Sequence, residues 1–340
     1  MTFPAFLARM CRATPKTDGF AEFKLPNGMH FQLSLNTRDP DAYHQAVLSG
    51  ATFDAPWRFL VSWLHSGDVL FDLGANIGTI SIPAAASGVQ VHAFEMLASN
   101  VRHILRAEAR NGITGIKVIQ GAVSDRNELV GIANDSAWGT TVPDAQVLVP
   151  TMTIDAYVSQ RNIGHVGTMK MDIEGSERNA LRGAAGLIER DHPDIVIEAN
   201  VVTCGNHGYS YQELLNFLEG HGYRVFRILA DRLCPYRKGS IQEVVYTDYI
   251  GTTKSDEEII DRSGWKISPI SNQDIIESIK HQSDMPDLHK QYVRVIANSL
   301  PIDALSDTGV AALLAQWEHL DDPAVKDVLA LGAGLPSARK

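Results

Sequence analysis

Short apolar runs alternate with amphipathic segments through the middle of the chain. Seven runs rich in β-branched and aromatic residues predict strands at Val69–Leu73, Gln90–Phe94, Lys117–Ala122, Thr168–Met171, Ile195–Glu198, Arg224–Ile228 and Asp248–Thr252. Segments with helical periodicity lie between most of them, at Ile80–Ser87, Ser99–Asn111, Ser176–Arg190 and Tyr211–His221. This alternation is typical of an α/β fold with a doubly wound, mostly parallel sheet, here of seven strands.

The pattern changes on both sides of this core and once within it. Extra strands are predicted at Glu128–Ala133 and Val142–Thr153. Before the core, alternating runs around Asn27-Gly28 predict a β-hairpin over Ala21–Leu33. Helical segments follow the hairpin at Asp41–Leu48 and Ala55–His65. After the core, prolines separate four predicted helices at Asp274–His281, Asp287–Leu300, Gly309–Leu320 and Ala324–Leu331.

These changes divide the chain into three predicted parts. Residues 1–66 form an N-terminal hairpin and helices, residues 67–254 form the core domain, and residues 255–340 form a helical extension. The extension holds 8 Lys and Arg against 14 Asp and Glu. We interpret it as a structural cap or an oligomerisation element, so a homo-oligomer is one expectation.

Composition and charge exclude several classes of protein. A chain of 340 residues that is 44% hydrophobic and 21% charged is ordinary for a globular protein. The net charge of −10 argues against a nucleic-acid partner, which would need a basic face. There is no apolar run of ~18 residues to span a membrane and no signal-peptide pattern. Three cysteines far apart in sequence predict reduced thiols, and with them a cytoplasmic protein.

A glycine-containing turn follows the first core strand. The segment Val69–Thr79 passes through Asp72, Gly74, Asn76 and Gly78 into a helix. The glycines permit a tight turn and close approach of a ligand to the free N–H groups of that helix. On this reasoning, Gly74→Val should abolish binding by filling the space of the ligand. The G-x-x-x-G spacing differs from the dinucleotide fingerprint, and the Gly-Lys-Ser/Thr of a triphosphate-binding loop is absent.

Acidic residues at the next strand ends favour an adenosyl ligand. Glu95 lies 17 residues after Gly78, where a carboxylate can accept hydrogen bonds from both ribose hydroxyls. NAD and S-adenosylmethionine both carry that ribose. Asp72 favours S-adenosylmethionine, because its ammonium and sulfonium groups are cationic whereas a pyrophosphate is anionic. Asp125, after the third strand, can accept from the adenine amino group. An NAD-linked oxidoreductase and a non-catalytic binding or scaffold protein remain alternatives.

Four segments resemble the FkbM family of class I S-adenosylmethionine-dependent methyltransferases in order and spacing. They are Phe71–Thr79, Ala93–Glu95, Val149–Asp155 and Met169–Glu177. The resemblance covers roughly residues 68–200, and the core continues to about residue 253. It implies a Rossmann-like methyltransferase sheet with S-adenosylmethionine as cofactor. The implied activity is methyl transfer to a hydroxyl of a sugar, glycan precursor or secondary metabolite, so the partner is a small-molecule or glycan acceptor.

That reaction requires a general base, because a protonated alcohol is a poor nucleophile. The best candidates for the base follow the fourth core strand, namely Asp172, Glu174 and Glu177. Glu174 or Glu177 could instead cap the helix that begins at Ser176. Glu198, at the end of the fifth core strand, is expected in the same cleft as a catalytic residue, and His207 in the following loop is an alternative base.

No metal is expected in the main interpretation. In an alternative one, Asp172, Glu198 and Asn200 supply oxygen ligands for a magnesium ion that orients the acceptor.

Overall fold

The predicted core strands fold into one sheet. The structure is a computed structural model that describes residues 14–16, 19–25, 28–36, 40–135, 138–141, 145–236 and 248–269. The strands are β1 (Thr14–Lys16), β2 (Phe20–Lys24), β3 (His30–Ser34), β4 (Val69–Leu73), β5 (Gln90–Glu95), β6 (Ile116–Gln120), β7 (Ala122–Val123), β8 (Leu129–Asp135), β9 (Trp138–Thr141), β10 (Val147–Met152), β11 (Thr168–Met171), β12 (Asp194–Glu198), β13 (Arg224–Ile228), β14 (Arg232–Pro235), β15 (Asp248–Thr252) and β16 (Lys266–Ile267). The helices are α1 (Ala42–Ser49), α2 (Ala55–Trp63), α3 (Ser81–Ala86), α4 (Ala98–Asn111), α5 (Ile154–Arg161), α6 (Glu177–Gly183), α7 (Ala185–Asp191), α8 (Val201–Asn206), α9 (Tyr211–Gly220) and α10 (Asp256–Ser263).

The main sheet confirms the predicted fold class but has nine described strands instead of seven. Its order is β16-β14-β13-β15-β12-β11-β4-β5-β6. The strands from β12 to β6 are parallel, whereas β15 pairs antiparallel with both β12 and β13. The sequence did not predict β14 and β16. With four and two residues, they are too short to give a periodic pattern.

Strand β16 joins the start of the predicted extension to the core. It pairs in parallel with β14, with Lys266 opposite Arg232. Residues 255–269 are therefore continuous with the core sheet, although the sequence places a boundary before them. The four helices predicted between residues 274 and 331 lie outside the described residues.

Two predicted elements are each divided in the structure. The third core strand ends at Gln120, and Ala122–Val123 pairs instead with β10 in a second sheet of order β7-β10-β8-β9. The division falls at Gly121, where an added Cβ would lie 3.0 Å from the Pro150 carbonyl oxygen. The helix predicted at Ser176–Arg190 is divided after Gly183 into α6 and α7. An added Cβ at Gly183 would lie 2.1 Å from the Ser124 carbonyl oxygen.

Helices and the N-terminal hairpin cover both faces of the main sheet. Leu70 faces a core cluster that includes β2, β3 and helices α2 to α4, whereas Phe71 faces a cluster that includes α5 to α9. Adjacent residues of a strand point to opposite faces, so this division is the doubly wound arrangement that was predicted. The predicted hairpin is confirmed, with Lys24 paired to His30, and β1 adds a third strand to it.

Among the described residues, no helix is both long and apolar enough to cross a membrane. Cys204 and Cys234 are buried free thiols, as predicted, while Cys11 lies outside the described residues.

The buried His44 and the half-buried His103 lie between β3, α1 and α4, and they predict sensitivity to acid. Burial lowers the pKa of His103 to about 4, and the neighbouring His44 and Arg106 add to the effect. The His103 ring nitrogen Nδ1 lies 2.9 Å from Ser34 Oγ. As the pH falls from 6.5 to about 4, the unfolded chain takes up a proton that the folded chain does not. Wild type should therefore lose about 1–3 kcal/mol of unfolding free energy relative to His103→Gln over that range.

Denaturant unfolding at several pH values would test this. A constant difference in unfolding free energy between wild type and His103→Gln from neutral pH to pH 4 would contradict it.

Candidate active site

A cavity of about 260 Å³ lies at the carboxyl ends of the parallel strands. We call it the strand-end cavity. Its lining comes from the loops after β4, β5, β6 and β11, from the end of β12, from the start of β15, and from α1 and α2. The volume is near the lower end of the ~300–1,000 Å³ typical of small-molecule sites. In doubly wound sheets, ligands bind outside the strand ends where the strand order reverses, here between β4 and β11.

The glycine-containing turn forms one side of the cavity. Gly74 has φ +78° and Asn76 has φ +53°, and both line the cavity. An added Cβ at Gly74 would lie 2.0 Å from the Asp172 carbonyl oxygen. The side chain of Gly74→Val would therefore meet a neighbouring protein loop, which is a cause of lost binding that the sequence did not reveal. Gly78 packs against Ile82 and is not part of the lining.

Asp72 lies beneath this turn and not on the cavity lining. Its carboxylate is fully buried and accepts a hydrogen bond of 2.6 Å from Ser81 Oγ. The other oxygen, Oδ1, lies 3.5 Å from Lys170 Nζ and accepts no hydrogen bond from the described residues. The sequence predicted that Asp72 contacts a cationic ligand directly. In the structure, Asp72 contacts this lysine instead. The reason is that Asp72 is inside β4, directly opposite Lys170 in β11.

Lys170 is a further residue of the site. Its side chain is 12% exposed and lines the cavity. Nζ donates a hydrogen bond of 2.8 Å to the Gly74 carbonyl oxygen and lies 3.5 Å from Asp172 Oδ2. Burial lowers the pKa of Lys170, but Asp172 and Asp72 more than offset this, so the pKa is raised overall. Lys170 therefore carries a permanent positive charge that links the β4 and β11 turns.

Glu95 lies on the cavity lining at the end of β5, as predicted. Its two oxygens accept hydrogen bonds from the backbone N–H groups of Asn76 (2.8 Å) and Leu97 (2.7 Å). Burial raises the pKa of Glu95 to about 7. Each carboxylate oxygen has a second lone pair, which leaves capacity for hydroxyl donors from a ligand.

Replacing Glu95 with alanine is expected to weaken binding of an adenosyl ligand by about 1–3 kcal/mol, because ribose hydroxyls and two backbone N–H groups lose an acceptor. Calorimetric titration with S-adenosylhomocysteine would measure this. Glu189→Ala, at an exposed position of α7, is the matched control. Equal affinities of both variants would show that Glu95 does not contact the ligand.

Carboxylates from three strand ends meet on the other side of the cavity. We call Asp172, Glu174, Glu198 and Asp248 the acidic cluster, and all four line the cavity. Burial, and then the charge of Asp172, raises the pKa of Glu174 to about 7. Burial, and then Asp172 and Asp248, raises the pKa of Glu198 well above its usual range. The structure therefore brings together Asp172, Glu174 and Glu198, the three residues that the sequence proposed as catalytic.

The backbone at Glu174 has an uncommon conformation. Its φ is +54°, in the left-handed region that costs a non-glycine residue roughly 1–2 kcal/mol. Gly175 follows with φ +99°, and a Cβ there would lie 2.4 Å from His207 Cδ2 and 2.6 Å from the Thr203 carbonyl oxygen. Strained backbone of this kind occurs where a side chain must be aimed at a functional site.

Three other residues that the sequence proposed for the site lie outside the cavity lining. Glu177 Oε1 accepts a hydrogen bond of 2.8 Å from the Ile173 N–H, so it closes the turn before α6. Neither Glu177 nor His207 is part of the cavity lining. Asp125 is also absent from the lining and pairs with Arg126 Nε at 3.1 Å, because the split after β6 directs it away from the cavity. In the described part of the chain, no group of three or more His, Cys, Asp or Glu side chains is arranged to hold a metal ion.

Helices α1 and α2 supply a part of the lining that the sequence did not predict. Tyr43, Asp54, Trp57 and Leu60 line the cavity. Trp57 Nε1 donates a hydrogen bond of 2.8 Å to the Thr79 carbonyl oxygen, which fixes α2 against the end of the glycine turn. The amphipathic pattern indicates that these helices pack on the core, but it does not show where they meet it.

Comparisons with known proteins agree with this geometry. Residues 72–225 match the family model described as the methyltransferase FkbM domain. The chain is 29% identical over 203 residues to 31-O-demethyl-FK506 methyltransferase FkbM of Streptomyces tacrolimicus, an alignment that covers 48% of this chain and 75% of that protein.

Two similar solved structures are those of methyltransferase FkbM from Methylobacillus flagellatus KT and of Aeropyrum pernix fibrillarin with bound S-adenosylmethionine. The first is 19% identical with a TM-score of 0.38, and covers 63% of this chain but only 56% of that one. The second is 12% identical with a TM-score of 0.34, and covers 72% of this chain and 100% of that one.

The family match decides between the alternatives that the sequence left open. Glu95 on the cavity lining can bind a ribose. The rest of the lining carries five further carboxyl groups and one lysine. Such a lining favours a cationic ligand over a pyrophosphate, and S-adenosylmethionine carries one net positive charge. The residues present therefore fit this cofactor and not a nicotinamide dinucleotide. Residues 72–225 match a methyltransferase FkbM domain, and the chain is an S-adenosylmethionine-dependent methyltransferase of the FkbM type.

Proposed function

We propose that the enzyme methylates a hydroxyl group of a neutral, polyhydroxylated acceptor, such as a sugar, a glycan precursor or a related secondary metabolite. The observation that carries this proposal is that the glycine turn, Glu95 and the acidic cluster share one cavity. The Streptomyces relative is named for an O-demethylated acceptor, which supports oxygen as the methyl-accepting atom. Cytoplasmic location and homo-oligomerisation remain predictions.

The order of the strands separates a cofactor side from an acceptor side. Neighbouring strands are ~4.8 Å apart, so the strand ends from β6 to β15 span roughly 24 Å. The turns after β4, β5 and β6 contribute Gly74, Asn76, Glu95 and the segment 121–123. We assign this side to the adenosyl part of the cofactor, with Glu95 as the acceptor for its ribose hydroxyls.

The acceptor side lies over β11, β12 and β15, beneath α1 and α2. It combines the acidic cluster with the aromatic rings of Tyr43 and Trp57. Carboxylates accept hydrogen bonds from hydroxyl groups, and aromatic rings provide an apolar surface for a sugar ring. A phosphorylated or carboxylated acceptor would be repelled by the cluster, whereas a neutral one is not.

Glu174 is the proposed general base. When bound, the cofactor supplies a methyl group that forms a bond to the acceptor oxygen while the electron pair of the broken C–S bond stays on sulfur. Glu174 accepts the proton that the hydroxyl releases, and a carboxylate with a pKa of about 7 suits this role near neutral pH. Burial, Asp172 and Asp248 raise the pKa of Glu198 well above its usual range, and we assign this carboxyl group to orienting the acceptor by a hydrogen bond.

Transfer of an isotope-labelled methyl group to a panel of acceptors tests the function. The panel would pair each neutral sugar or polyol with its phosphorylated form, and mass spectrometry would locate the methyl group. We expect O-methylated products from neutral acceptors only. Methylation on nitrogen or carbon, or a preference for the phosphorylated forms, would contradict the proposal.

A further inference from the structure

Lys170 is the only basic side chain on the lining of the strand-end cavity within the described ranges. The six carboxylates on the same lining belong to Asp54, Glu95, Asp172, Glu174, Glu198 and Asp248. The ionised groups among them repel a ligand group with negative charge. The place where it can be bound is beside Lys170.

The ammonium group of Lys170 is held in position and still has N–H groups that can donate hydrogen bonds to a ligand. It has three N–H donors, and one of them is used by the Gly74 carbonyl oxygen at 2.8 Å. The carboxylate oxygens of Asp72 and Asp172 lie 3.5 Å away, which is longer than a normal N–H···O hydrogen bond. These two charges keep the lysine protonated in spite of its burial. A carboxylate oxygen of a ligand could therefore form a shorter contact than either.

The cofactor brings one such group. The methionyl part of S-adenosylmethionine ends in an α-carboxylate and an α-ammonium group. We propose that Lys170 binds the α-carboxylate of the cofactor, while the carboxylates around it offset the positive charge of the ammonium and sulfonium groups. The inference rests on the identity of the cofactor and is independent of the acceptor.

Binding of two ligands that differ by this carboxylate tests the inference. S-adenosylmethionine and its decarboxylated form would each be titrated into wild type, Lys170→Met, Lys170→Arg and Lys266→Met by calorimetry. Lys266, exposed in β16, is the matched control. In Lys170→Met, the affinity for S-adenosylmethionine relative to the decarboxylated form should fall roughly 10- to 100-fold. Lys170→Arg should largely restore this ratio, and Lys266→Met should not change it.

An unchanged ratio in Lys170→Met would overturn the inference and leave the lysine as a counter-ion for Asp72 and Asp172. If that variant does not fold, wild type provides a second test. It should bind the decarboxylated compound at least roughly 10-fold more weakly, although this compound carries more net positive charge. Equal or tighter binding would also overturn the inference. Failure of wild type to bind either compound would instead contradict the cofactor assignment.

Discussion

Gly74→Ala is expected to abolish measurable cofactor binding and to destabilise the folded enzyme. The added Cβ would lie 2.0 Å from the Asp172 carbonyl oxygen, and both atoms belong to turns that line the cavity. The β4 and β11 turns must separate to relieve this contact, which also breaks the bond from Lys170 to the Gly74 carbonyl oxygen. Overpacking and the φ of +78° together should cost about 2–4 kcal/mol of unfolding free energy.

Gly112→Ala separates the effect of overpacking from the effect of the positive φ. Gly112 ends α4 with φ +66°, and nothing lies within 4 Å of an added Cβ. This control should lose only about 1 kcal/mol, the cost of the backbone conformation, and should bind the cofactor as wild type does. Thermal unfolding and calorimetry would measure both quantities. A Gly74→Ala variant that binds S-adenosylhomocysteine normally would show that the contact of the two turns is not needed for the site.

Glu174→Gln is expected to lower kcat by about 10²–10⁴-fold while cofactor affinity stays within a few-fold of wild type. Glutamine keeps the size of the side chain and removes its capacity to accept a proton. The base works only when deprotonated, so kcat of wild type should rise with pH through about 7, the pKa to which burial and Asp172 raise Glu174. The variant should lack this rise.

Two further variants make this test specific. Glu189→Gln, at an exposed position, should leave kcat and its pH profile unchanged. Asp172→Asn and Glu198→Gln alter the other two candidate catalytic residues on the cavity lining. Persistence of the rise in Glu174→Gln, together with its loss in one of these variants, would assign the base to that residue instead.

The sequence predicted the strands of the main sheet closely. The bounds of Val69–Leu73, Thr168–Met171, Arg224–Ile228 and Asp248–Thr252 agree with β4, β11, β13 and β15. Strands buried on both faces appear as continuous apolar runs, which makes them easy to locate. The division at Gly121 escaped prediction because it depends on the Pro150 carbonyl oxygen of a distant strand.

The sequence predicted the carboxylates of the site but not the side chains that are positioned by contacts distant in sequence. Glu95, Asp172 and Glu198 follow parallel strands, and the carboxyl ends of such strands meet at one edge. The positions of Lys170 and Trp57 depend on contacts with the Gly74 and Thr79 carbonyl oxygens, far from them in sequence. Such contacts leave no periodic pattern in the chain. The same limit applies to Asp72, whose position beneath the turn depends on its pairing across β4 and β11.

Calorimetric titration of the folded wild-type enzyme with S-adenosylhomocysteine, in competition with S-adenosylmethionine, tests the central claim most directly. We predict saturable binding at one site per chain, displacement of each compound by the other, and loss of binding in Gly74→Ala but not in Gly112→Ala. Absence of heat and of any thermal shift with both compounds would contradict the assignment of the strand-end cavity.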